Sequence, residues 1–245
     1  MHPSPSLVKT GPSFLPLWLR VLTFRARAED YENLGKNHLL IGLLVTWVVG
    51  MGRYWDDPRA TLLQHLGVGS VIYVFVLAAL FWIIAKPLAP ERFSYVGILT
   101  FIVMTSPPAA LYAIPVEQWM TLAEANEINL KFLGVVALWR FFLWIHYLFK
   151  FGLLPGGMVF ICAVMPLGII FATLVSLNLH HVVVEIMGGI RNADRSSQDA
   201  AYQIMFLLSI LGLPASALAA LFWIGLVIQN WRARRQAKLK PPVSR

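Results

Sequence analysis

The sequence predicts an all-α fold: a polytopic transmembrane helix bundle of about six spans, preceded by an N-terminal interfacial amphipathic helix. Three observations carry this prediction. Apolar residues make up 58% of the 245 and charged residues only 13%, with a mean hydropathy of +0.67. Soluble chains average about 45–50% apolar and about 25% charged residues. The apolar residues gather in runs long enough for a bilayer core, which takes ~20 residues per helix. The cations sit almost entirely between and beyond those runs. Disorder, a collagen-like chain and a disulfide scaffold are excluded by the same composition.

Residues 1–37 read as a cytoplasmic tail. Within it Phe14, Leu17, Trp18, Val21 and Leu22 recur at helical spacing, with Arg20, Arg25 and Arg27 among or just after them. That pattern predicts a helix lying in the interface with its cations toward headgroups; the competing reading is a solvated linker with chance periodicity. The apolar stretch 14–24 is no cleavable signal peptide, because Arg20 interrupts it and no small-residue cleavage site follows.

Residues 38–231 form the predicted membrane domain, with spans at 38–55, 66–85, 93–114, 132–149, 156–179 and 200–228. The first ends at the aromatic pair Tyr54 and Trp55, suited to a membrane interface. The third contains Pro107 and Pro108, the fourth Arg140, the fifth Pro166 and the sixth Pro214. The fifth run stays apolar as far as Met187, with Gly188 and Gly189 as its natural stop. Ser196 followed by Asp199 is a variant capping box for the last helix. The longest connection, 116–131, carries Glu117, Glu124 and Glu127.

Residues 232–245 are a basic cytoplasmic tail. With six spans both tails share a side. That side collects 14 of the 20 Lys and Arg residues, and the opposite side holds five: Arg53, Arg59, Lys131, Arg191 and Arg195. Cytoplasmic loops carry the excess of cations, so both termini are expected in the cytoplasm, in the inner membrane of a cell. The net charge of +8 then needs no nucleic acid; anionic lipids at the cytoplasmic face are the expected partners. Cys162 is alone, so no internal disulfide or cysteine-based metal site is available, and it reads as a small buried hydrophobe.

Arg140 is the candidate centre of any chemistry. It lies about eight residues from either end of its span, too deep to snorkel, among Trp139, Phe141, Phe142 and Trp144. A mid-helix arginine costs ~2.5–3.5 kcal/mol on insertion scales, so it should face the bundle and find acceptors. No acid lies within the predicted spans. A proline lacks its N–H and releases the carbonyl four residues earlier. Pro107 and Pro108 release Val103 and Met104, Pro166 releases Cys162, and Pro214 releases Ile210. One guanidinium could satisfy several such carbonyls, either as a structural clasp or as a mid-membrane polar site of a transporter with broken helices.

The histidines add weaker candidates. His181 and Glu185 are four apart and share a helix face, as an interfacial hydrogen-bonded pair or two ligands of a metal site lacking its third. His38 and His146 fall toward one membrane face and His65, His180 and His181 toward the other, the arrangement a two-haem cytochrome needs, though at span boundaries. No phosphate loop, GxSxG, GxGxxG or HExxH is present; Gly67, Gly69 and Ser70 read as close helix packing. No cofactor, metal or enzymatic activity is therefore expected.

A basic amphipathic segment before the first span, the Thr105–Pro108 break in the third, and the Trp139–Arg140 pair in the fourth together resemble the bacterial branch of the Yip1-like membrane proteins. The resemblance implies a non-enzymatic role in membrane organisation, or as partner and subunit of a membrane complex, with no catalytic residues to carry over. The alternative is a small carrier or channel centred on Arg140 and the proline breaks. A carrier should show an aqueous cavity reaching Arg140; a scaffold should show Arg140 fully enclosed by carbonyls and aromatic rings.

Overall fold

The computed structural model describes residues 14–56, 60–176 and 195–239, and every regular element among them is helical. Helix α1 (Phe14–Leu22) stops where Phe24 takes a left-handed φ of 60°. Helix α2 (Ala28–Glu32) starts with the Asp30 carboxylate accepting from the Arg27 N–H at 2.9 Å and pairing with Arg20 at 3.1 Å. Helix α3 (Lys36–Gly52) opens with His38 Nδ1 accepting from the Gly35 N–H at 3.1 Å. A single turn, α4 (Leu62–His65), leads through Gly67 into α5 (Val68–Ala85). Gly67 has a φ of +64° and lies against the backbone of Trp47 and Met51, so this turn admits no Cβ.

Helix α6 (Tyr95–Met104), with the Ser94 hydroxyl accepting from the Gly97 N–H at 3.0 Å, ends before Pro107 and Pro108. The chain bends by 45° there and continues as 3₁₀ helix over Pro107–Ala113 and then Val116–Gln118. Helix α7 (Leu122–Lys150) begins where the Glu124 carboxylate accepts from the Thr121 N–H at 3.0 Å and its hydroxyl at 2.8 Å. Those bonds, the hydroxyl first, hold the Glu124 carboxyl below the usual glutamate range. Helices α8 (Gly156–Ser176) and α9 (Arg195–Leu239) complete the bundle.

Helices occupy all six predicted segments, but they do not carry six equal crossings. Four stretches among the described residues are each long and apolar enough to cross a membrane: Val68–Ala85, Glu127–Lys150, Gly156–Thr173 and Gly212–Gln236. The bent pair Tyr95–Met104 and Pro107–Ala113 makes a fifth if it counts as one broken span. Helix α3 has 17 residues, or ~26 Å, a little less than a ~30 Å core. Two boundaries also move outward. Residues 122–131, expected in a connection, belong to α7 because Glu124 caps it early. Helix α9 runs past 228 into the basic segment, where Arg235 lies over the Trp231 ring at 4.2 Å.

The N-terminal segment is fastened to protein. Leu17, Trp18 and Val21 of α1 are buried, while Leu15 and Leu19 face outward. The apolar stripe expected to meet lipid therefore packs on the bundle, and the Trp139 indole clips the end of α1 by donating to the Leu22 carbonyl at 3.0 Å. Tyr31 of α2 plugs into an aromatic core with Phe93, Phe101, Trp144, Tyr147 and Phe151. Burial, with the Asp30 carboxylate adding to it, raises the Tyr31 hydroxyl well above the usual tyrosine range. Small residues let helices approach: a Cβ at Gly50 would lie 2.7 Å from Ser70 Oγ across α3 and α5, and one at Gly168 would overlap Ser216 across α8 and α9.

Candidate functional site

Helices α3 to α8 line a cavity of about 550 Å³. From α7 come Leu133, Val136, Ala137, Arg140, Phe141 and Trp144, spaced three and four apart as one helical stripe. Helix α5 contributes Ser70, Tyr73, Val74, Leu77 and Phe81, and α3 contributes Thr46, Val49 and Gly50, with Arg53 just beyond. Helix α8 adds Ala163, Pro166, Leu167 and Ile170. The break after α6 supplies Thr105, Ser106, Ala109 and Tyr112. The bend thus places two hydroxyl-bearing residues, both buried, in the wall.

Arg140 faces this cavity. Its Nη2 is buried without a hydrogen-bond partner among the described residues, and its guanidinium lies 6.0 Å from the centroid of the Tyr73 ring. Arg53 lines the wall nearer the end of α3, 5.0 Å from the Tyr112 centroid and 5.4 Å from that of Tyr54. Arg53 and Arg140 thus share a wall with Tyr112. No carboxylate lines the cavity among the described residues. Thr46 and Ser106 hydroxyls lie 2.7 Å apart, and the Thr105 hydroxyl donates to the Ile102 carbonyl at 2.7 Å. The opposite part of the wall is aromatic: Phe81 stacks on Trp144 at 4.2 Å, beside Phe101.

The proline-released carbonyls have other partners than Arg140. Trp18 Nε1 donates to the Met104 carbonyl at 2.5 Å, and Trp144 Nε1 to the Cys162 carbonyl at 3.1 Å. The Val103 carbonyl accepts from the Ser106 N–H at 3.2 Å. Flat, rigid indoles reach into the helix breaks with one aimed donor each, leaving the guanidinium to the cavity. The expected clasp of Arg140 on proline-freed carbonyls is corrected accordingly for Val103, Met104 and Cys162. Pro166 lines the cavity with Arg140; Pro107 and Pro108 shape its wall from just outside; Pro214 sits exposed on α9, away from it.

Other candidates fall elsewhere. His181 and Glu185 lie outside the described residues, as does His180. His146 Nδ1 shares a hydrogen bond with the Tyr31 hydroxyl at 3.0 Å, which ties α2 to α7. Among the described residues no group of three or more His, Cys, Asp or Glu side chains could hold a metal ion. Sequence reasoning missed Arg53, Tyr73 and Tyr112 as wall residues. Their signal was a polar residue three or four positions from a small one, as in Gly50 with Arg53 and Gly69 with Tyr73. Compared with protein-family models, curated proteins and solved structures, the chain has no match.

Proposed function

We propose that the chain is a six-span inner-membrane protein with both termini in the cytoplasm, acting as a small carrier or channel for an anion recognised at Arg140. The observation that carries this reading is the cavity lined by Arg140, whose Nη2 has no partner among the described residues while indoles satisfy the neighbouring carbonyls. A guanidinium in a largely apolar enclosure, with no carboxylate on the described wall, attracts a negative ligand and repels cations. The broken α6 at the wall fits transporters that bind substrate where helices are interrupted. Six helical segments and the cation excess in the two tails support the topology, with the basic end of α9 toward anionic headgroups.

Arg140→Met tests the reading, because methionine fills similar space without the charge. The variant should fold, by monodisperse elution and retained helicity, yet lose anion-dependent thermal stabilisation and anion uptake into proteoliposomes. Unchanged anion binding by the folded variant would sink it. A second reading, a partner subunit in membrane organisation as the Yip1-like resemblance implies, draws on α9. Only 6% of its Gly212–Gln236 stretch is buried, leaving Leu218, Leu221 and Phe222 outward for lipid or a neighbouring helix.

A further inference from the structure

We infer that the ligand of this cavity is an amphiphilic organic anion, a phosphate or carboxylate head on an apolar, ring-bearing body. The inference rests on the anion-cavity reading and specifies its substrate class. A site for a small inorganic anion needs a tight shell of donors. Here the cavity holds about 550 Å³, roughly 18 times the volume of a liquid water molecule. That lies within the ~300–1,000 Å³ usual for organic ligands, whose sites are mostly apolar with a few placed polar groups.

The wall is divided accordingly. Arg140, Tyr73, Tyr112, Thr105 and Ser106 form the polar part. Phe81, Phe101, Trp144, Leu77 and Ile170 form the apolar part. The head belongs at the Arg140 guanidinium, the charge on this part of the wall. The body belongs against the partly exposed Phe81, Leu167 and Ile170 side chains, which give the cavity an apolar wall fit for a planar ring or a chain. An inorganic ion would leave the apolar wall uncovered, and a neutral amphiphile would leave the Arg140 charge without a counter-ion, so neither completes the site.

The test uses the full chain in nanodiscs of neutral lipid and four probes: 1-naphthyl phosphate, inorganic phosphate, 1-naphthol and 1-naphthylmethylamine. The first should bind about tenfold or more tightly than any of the others. Arg140→Met should erase the difference between 1-naphthyl phosphate and 1-naphthol. Ala137→Phe, which pushes a ring into the cavity beside Arg140, should abolish naphthyl phosphate binding while leaving weak phosphate binding in place. Inorganic phosphate binding as tightly as naphthyl phosphate, with Arg140 still required, would overturn the amphiphile and leave the anion site standing. No Arg140-dependent binding of either phosphate would overturn both. Organic extraction of the purified chain separates two sources of the same chemistry. A copurifying single-chain acidic lipid, lost in Arg140→Met, marks a membrane source, and a chain that purifies empty but binds 1-naphthyl phosphate marks an aqueous one; each supports the inference.

Discussion

Replacing Trp144 by Phe tests the claim that indoles, not Arg140, satisfy the carbonyls released by proline. Trp144 is buried to 2% exposure and donates to the Cys162 carbonyl, freed because Pro166 has no N–H to return. Phenylalanine keeps a ring beside Phe81 and Phe101 but removes the donor and part of the buried surface. Hydrogen bonds within membrane bundles average ~0.6 and reach ~1.7 kcal/mol, and an orphaned buried carbonyl costs ~1–3 kcal/mol. Adding the lost packing, Trp144→Phe should cost about 2–3 kcal/mol. Pro166→Ala restores an N–H at the position that bonds Cys162 within the helix. In that background Trp144→Phe should cost about 1 kcal/mol less, a coupling expected of groups sharing one acceptor. Reversible unfolding in mixed micelles, for both single variants and the double, reads the cycle. Strict additivity would refute the reasoning, because it would mean that the Cys162 carbonyl never depended on the indole.

Three further outcomes follow from the same structure. The Glu124 carboxyl is held below its ordinary range by Thr121, so its capping contribution is present above the unfolded pKa and is lost as pH falls through the lower folded value. Amide exchange at the start of α7, corrected for its intrinsic pH dependence, should stay protected at mildly acidic pH and rise only below the ordinary glutamate range; Glu124→Gln should remove that dependence, and a rise at neutral pH would contradict the cap. Gly168→Ala should destabilise the α8–α9 contact by about 1–3 kcal/mol through overlap with Ser216, and Ser216→Gly should restore it; failure of the rescue would place the clash elsewhere. Reporters fused after Trp55 and after Arg245 should report opposite sides of the membrane, and the same side would refute the six-span, both-ends-inside topology.

Much of the fold was legible in the sequence because bilayer crossing is written in composition. Runs of ~20 apolar residues can satisfy their backbones in lipid only as helices or a closed barrel, and these runs lack the alternation of barrel strands. Boundaries were less legible where capping overrode hydropathy. Glu124 starts α7 well ahead of its apolar run, and the Pro107–Pro108 pair divides one apolar run into two helices at 45°. Arg140 stood out because a charge in mid-membrane demands an explanation.

Its surroundings were not legible. In water a helix shows its buried face by contrast with a polar one, but in lipid the cavity-facing and lipid-facing sides of α5, α7 and α8 are both apolar, so periodicity does not separate them. The Trp18 indole reaches the Met104 carbonyl across 86 residues of chain, and only packing brings them together. The sequence by itself thus determined an all-helical chain with several helices long and apolar enough to cross a membrane, one of them with an arginine near its middle. The tertiary structure decided that tryptophans bond the Met104 and Cys162 carbonyls and that Arg140 lines a cavity, because packing sets rigid indole donors within reach of those carbonyls.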